Sequence, residues 1–99
     1  MEDAVKLLPS RNGRSKFVII DDEVEVAEME VGLADNLMTI YHTEVKPEAE
    51  GRGLAKTLLS AMKAYSKQQG LKVKPLCPFV YGQFKKYPDL FEDIWYKGE

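Results

Sequence analysis

Residues 24–31 (VEVAEMEV) set Ala27, Met29 and Val31 against Glu28 and Glu30 with a period of two, the pattern of a strand with one buried and one wet face. Residues 16–20 (KFVII) are rich in β-branched side chains, and the acidic Asp21-Asp22-Glu23 between the two runs suits a tight turn, so the pair predicts a hairpin. After an Ala34-Asp35-Asn36 turn, residues 37–45 (LMTIYHTEV) again have strand composition and end at Lys46-Pro47, completing an antiparallel meander. Residues 4–8 read as an edge strand and 9–14 as a loop.

From Arg52 the period changes. Leu54, Leu58, Ala61, Met62 and Tyr65 recur at helical spacing while Lys56, Lys63 and Lys67 take the opposite side, and Gly70 closes the helix. Residues 71–76 (LKVKPL) alternate as a strand, and Pro78 fits the first position of a short helix reaching about Lys86. In 88–95, Leu90, Phe91, Ile94 and Trp95 keep helical spacing, which suits a lid or a last helical turn. The order predicts an α/β or α+β sandwich with helices covering a mixed, mostly antiparallel sheet.

A chain of 99 residues, 44% hydrophobic and 30% charged, suits one globular domain, 1–99. The single cysteine excludes an internal disulfide; with no apolar leader and no apolar run long enough for a bilayer, the expectation is a cytoplasmic protein without a membrane partner. The net charge of -2 conceals a segregation: residues 51–88 hold no acid and sum to +8, against -10 elsewhere. One part of the chain attracts anions and the other cations. The acidic remainder argues against nucleic acid as a partner, and one Cys and one His offer no metal-ligand spacing.

The stretch Glu50-Gly51-Arg52-Gly53-Leu54-Ala55-Lys56 places bare backbone at a helix start, where unpaired N–H groups and the positive end of the helix dipole can hold a phosphate. A connecting turn would also use glycine there. A Walker loop is excluded because Ala55 precedes Lys56 where that loop has glycine. The dinucleotide fingerprint is excluded because Lys56 takes the third glycine position and no acid follows until Asp89.

The run VKPEAEGRGLAKTLL resembles the acyl-CoA pyrophosphate loop of the GNAT superfamily of N-acetyltransferases, with Glu48 where the superfamily usually has Gln or Arg. HTEVKPEAEGRGLA, LKVKPLCPFV and Tyr87-Pro88 are similar to a small single-domain branch of it, over residues 22–93. The resemblance implies a minimal GNAT-like fold that binds acetyl-CoA and transfers its acetyl group to an amine. It also implies that the two helices that usually follow the first strand are replaced by the loop before Lys16, leaving the substrate side unroofed. The cofactor would lie between the strand ending at Val45 and the strand ending at Leu76. Backbone near Glu44 and Val45 would hold the pantetheine, and the amides of residues 50–55 the pyrophosphate.

Acyl transfer needs a neutral amine, a polarised carbonyl and a proton for the departing sulfur. Cys77, next to Pro78 at a helix start with Lys74 nearby, is a candidate thiolate, or else a buried apolar thiol. In the small branch a cysteine at this place implies a position near the acyl sulfur. His42, the only histidine, could accept a proton from the amine or from Cys77, and Glu44, two residues on, is a spare base on the same face. Tyr81, one turn past Cys77, could protonate the leaving thiolate or pack beside adenine. Tyr87 stands where relatives often carry a second histidine. Glu23, Glu25, Glu28 and Glu30 point to a cationic acceptor: a polyamine, a lysine side chain or a protein N-terminus. The alternative is a CoA-binding or protein-interaction module without catalysis, and the oligomeric expectation is a monomer or weak dimer.

Overall fold

The computed structural model describes residues 5–98. Its elements are β1 (Val5–Pro9), β2 (Ser15–Asp21), β3 (Val24–Ala34), β4 (Leu37–Val45), a 3-10 turn (Pro47–Ala49), α1 (Leu54–Gln69), β5 (Lys72–Pro75), α2 (Pro78–Lys86) and α3 (Pro88–Phe91). The expected edge strand is β1; Ala4, its expected first residue, lies outside the described residues.

The five strands lie in sequence order in one sheet. The three hairpin-connected pairs are antiparallel, and β4 with β5 is parallel, which requires the long crossover that α1 provides. Asp22 and Glu23 both take positive φ (53° and 65°), which gives the β2–β3 turn the twist a two-residue hairpin needs.

Alternation decides what the sheet buries. Phe17 and Ile19 of β2, Met29 and Val31 of β3, and Met38 and Ile40 of β4 form one core with Leu54, Leu58, Leu59 and Met62 of α1. Phe17 meets Tyr65 edge to face at 5.7 Å, and the Ser66 hydroxyl of α1 donates to the sulfurs of Met62 and Met38. A second aromatic layer ties the C-terminal segment down: Phe84 stacks on Phe91 at 4.5 Å and meets the Trp95 ring at 5.4 Å.

Helix α1 starts at Leu54, where the helical spacing begins, because Gly53 before it takes a left-handed conformation. Two details differ from the pattern-based expectation. The tail does more than turn: after α3 it reaches the outer edge of β5, where Val73 pairs with Trp95 and the Tyr96 amide donates to the Val73 carbonyl at 2.8 Å. A bulge in the β3–β4 pairing sets Glu30 opposite His42 and Val31 opposite Ile40, so Tyr41 is the extra residue. The Tyr41 ring covers Gly32, where an added Cβ would come within 3.1 Å of it.

Leu58 is fully buried. Leu58→Ala is expected to cost about 2–5 kcal/mol, read as a lower urea midpoint at unchanged slope, whereas Lys74→Ala on the exposed side of β5 stays within about 0.5 kcal/mol.

Candidate active site

The chain leaves β4 at Val45 and turns through Pro47–Ala49, anchored by the buried Ala49. The Glu50 amide donates to the Pro47 carbonyl at 3.2 Å, so the expectation that this amide is free for a ligand is corrected: the cradle begins one residue later. Gly51 (φ 89°) and Gly53 (φ 74°) hold the backbone in the left-handed region, which costs about 1–2 kcal/mol per residue with a side chain. A Cβ built at either meets nothing within 4 Å. Glycine is needed there for the backbone path, and the space in front of it stays open.

The first helical hydrogen bond of α1 runs from the Thr57 amide to the Gly53 carbonyl at 3.1 Å. Among the described residues, the amides of Gly51, Gly53, Leu54, Ala55 and Lys56 have no acceptor. No acid stands in the first turn and no side chain caps it, so the positive end of α1 is uncompensated. Arg52 extends from this loop to an ion pair with Asp21 at 3.0 Å, tying the loop to the end of β2.

Beside the loop the sheet opens. Pairing of β4 with β5 ends at Ile40 opposite Pro75, and the amides of Leu76 and Cys77 both donate to the Ile40 carbonyl, at 3.1 and 2.9 Å. From Tyr41 to Val45, β4 is bonded to β3 on one side and to no residue of β5 on the other. Between α1 and the α2–α3 segment lies a groove of about 300 Å³, lined by Lys56, Ser60 and Lys63 on one wall and Gln83, Tyr87 and Leu90 on the other. Of these only Lys56 is marked as a ligand contact by the sequence; the spacing of Ser60 and Lys63 along α1 was the available signal.

The expected acyl-transfer residues divide between the two faces of the sheet. Thr43, opposite Met29, faces the helices, and Cys77 Sγ donates to Thr43 Oγ1 at 3.5 Å. Cys77 is 3% exposed at the N-cap of α2. His42 and Glu44 alternate with Thr43 and stand on the other face, so the expected proton transfer between Cys77 and His42 is not brought together. Tyr81 is exposed, one helical turn past Cys77, and its ring meets Trp95 at 6.4 Å.

On the open face His42 Nε2 lies 3.3 Å from Glu28 Oε2, and Nδ1 lies 3.5 Å from Glu30 Oε1. Lys16 bonds Glu25 at 3.0 Å and reaches Glu28 at 3.5 Å. The Lys16 ammonium is held above its ordinary value of 10.5, first by the hydrogen bond to Glu25. The Glu28 carboxyl is held below its ordinary 4.5, first by a side-chain hydrogen bond with the Glu25 carboxyl, then by the hydrogen bond with His42 and the charge of Lys16, against the desolvation of partial burial. Glu44 stands directly across from Glu28 with no bonding partner among the described residues. A pocket of about 80 Å³ opens beside it, lined by Glu25, Glu28, Glu44 and Lys46. Glu28 and Glu30 join this site by strand pairing across a bulge, a relation that spacing along the chain does not display.

A family model described as GCN5-related N-acetyl-transferase matches residues 16–94. A GCN5-like protein from Staphylococcus aureus is 31% identical, superposes with a TM-score of 0.69, and the match covers 100% of this chain and 94% of that one. The ribosomal-protein-S18-alanine N-acetyltransferase of Escherichia coli shares the fold at 14% identity and a TM-score of 0.64, over 82% of this chain and 54% of its own length. So does the PaiA N-acetyltransferase of Thermoplasma acidophilum, solved in complex with coenzyme A, at 18% identity and a TM-score of 0.57, over 76% of this chain and 48% of its own. Comparison with curated protein sequences returned no match. Among the described residues no helix is long and apolar enough to cross a membrane.

Gly53→Ala meets no clash, so its cost is the left-handed strain alone: about 1–2 kcal/mol of stability by urea titration. Glu28, held below 4.5, contributes stability that is complete above that value and lost as pH falls through the lowered one. Glu28→Gln is therefore expected to flatten the loss of stability below pH 4.5 while leaving the slope near pH 7 unchanged, measured by urea midpoints across pH.

Proposed function

The chain belongs to the GCN5-related N-acetyl-transferase family, and we propose that it binds acetyl-CoA through the α1 cradle and transfers the acetyl group to a cationic amine at the open face of the sheet. One observation carries the reading: among the described residues the amides of Gly51, Gly53, Leu54, Ala55 and Lys56 have no acceptor, at the uncompensated positive end of α1. A diphosphate supplies the missing acceptors, and Lys56 and Lys63 in the adjoining groove supply the countercharge. The edge of β4 from Tyr41 to Val45 that β5 does not pair offers backbone groups to an extended pantetheine arm.

Acetyl-CoA supplies an activated thioester; the chain supplies position and a place for protons. We assign Glu44 as the group that takes the proton the amine loses, since its carboxylate has no bonding partner among the described residues and points from the strand beside the gap. His42, already facing two carboxylates, supports the site rather than serving as its free base. Tyr81, an exposed residue one helical turn past Cys77, is the group we assign to give the released sulfur its proton. The thiol of Cys77 is buried and bonded to Thr43, which favours direct attack of the amine over a route through an acyl-cysteine. Glu25, Glu28 and Glu44 around the small pocket favour an acceptor that arrives protonated, such as a polyamine or a lysine side chain.

At a hundred times its Kd, acetyl-CoA is expected to stabilise the protein by about 2.7 kcal/mol, raising the thermal midpoint, while NAD and free phosphate at the same concentration leave it nearly unmoved. Glu44→Gln is expected to lower turnover about 10²–10⁴-fold while keeping the acetyl-CoA midpoint shift, and Cys77→Ser to keep turnover within a few-fold. Equal rates for neutral and cationic amines would contradict the acceptor class, and full turnover in Glu44→Gln would contradict its role.

A further inference from the structure

We propose that Glu28, His42 and Glu44 form a binding site for a divalent metal ion of the zinc type on the open face of the sheet. One ligand atom from each, His42 nitrogen and two carboxylate oxygens, all lie within 4.8 Å of one another. The backbone brings them together: His42 and Glu44 are alternate residues of β4, and Glu28 is the direct cross-strand partner of Glu44. Two carboxylates in direct register repel each other unless a cation stands between them. Lys16 meets only the Oε1 side of Glu28, at 3.5 Å, which leaves Oε2 toward His42 and Glu44.

Two further observations separate this group from a patch of acids. The first is spacing. Zinc holds nitrogen at about 2.0–2.1 Å and oxygen at about 2.0–2.2 Å in a tetrahedron, which sets its ligand atoms about 3.3–3.5 Å apart. His42 Nε2 and Glu28 Oε2 already stand 3.3 Å apart, and rotation of the exposed Glu44 side chain completes a third corner, with the fourth open to water.

The second is what holds the imidazole. Nδ1 faces Glu30 Oε1 at 3.5 Å, and Glu30 is itself 8% exposed and fixed by Arg14 and Ser10, each at 3.5 Å. A histidine that binds a metal gives its other ring N–H to such a carboxylate, which fixes the tautomer. Nδ1 thus faces a fixed carboxylate while Nε2 faces Glu28 Oε2, so the ring is held with Nε2 toward the two carboxylates of the site. One imidazole with two carboxylates suits zinc better than calcium or magnesium, which prefer oxygen alone.

The site rests on its own geometry and stands whether or not the acyl-transfer reading holds; where both hold, the ion occupies Glu44 in place of the amine's proton, so the metal-loaded chain is the inactive form. The test is a titration of the metal-free full chain with Zn²⁺, followed by calorimetry and by the ring ¹⁵N resonances of His42. A single equivalent is expected to bind, with Nε2 moving more than Nδ1. His42→Gln, at an exposed position, is expected to weaken binding at least 100-fold, Glu28→Gln about 10-fold or more, and Glu30→Gln about 10–100-fold. Cys77→Ser is expected to bind within two-fold of wild type, since the thiol is on the other face. Absence of a one-to-one event, wild-type affinity in His42→Gln, or loss of binding in Cys77→Ser would each overturn the proposal.

Discussion

The amides of Gly53, Leu54, Ala55 and Lys56 open α1 without a carbonyl among the described residues to receive them. Leaving such donors unmade is expensive where water is excluded, about 1–3 kcal/mol each, so a helix start is usually capped by a side chain. Here no side chain caps it and two left-handed glycines keep the approach bare. The surrounding features fit this constraint. The 3-10 turn closes on itself through Glu50, Arg52 anchors the loop to Asp21, and the first turn of α1 carries no acid to neutralise the dipole.

The sheet gives this loop its setting by being two-faced. On the helix side, Leu58, Met62 and the β2–β4 core residues leave no room for ligand, but the groove between α1 and α2–α3 carries Lys56 and Lys63 among apolar and aromatic lining residues. On the other side Glu28, Glu30, His42 and Glu44 stand in register along β3 and β4. The charge segregation along the chain therefore becomes a segregation in space. An anion is favoured at the cradle and a cation at the open face, and the gap where β5 leaves β4 lies between them. Donor and acceptor would thus approach from opposite sides without competing for one charged surface.

Much of this is legible in the chain itself, for identifiable reasons. The β3 alternation, the helical spacing of Leu54, Leu58 and Met62, and Gly70 as a left-handed C-cap are local signals, and local signals read along one element. The glycine pair and its place before a helix were equally local. What escapes is whatever depends on pairing between elements. Glu28 meets Glu44, and Glu30 meets His42, only because Tyr41 is bulged out of the β3–β4 ladder. Cys77 and His42, both reactive residue types, are separated because Thr43 takes the core-facing position between His42 and Glu44. Trp95 reaches the β5 edge because Phe84 and Phe91 hold the tail against the core, a relation with no period in the sequence.

The most direct measurement of the central claim is a titration of ¹⁵N-labelled protein with coenzyme A, following each backbone amide. The amides of Gly51, Gly53, Leu54, Ala55 and Lys56 are expected to shift together and to gain protection from exchange, with those of Thr57 and the rest of α1 changing far less. A titration in which coenzyme A binds while those resonances stay in place would contradict the account.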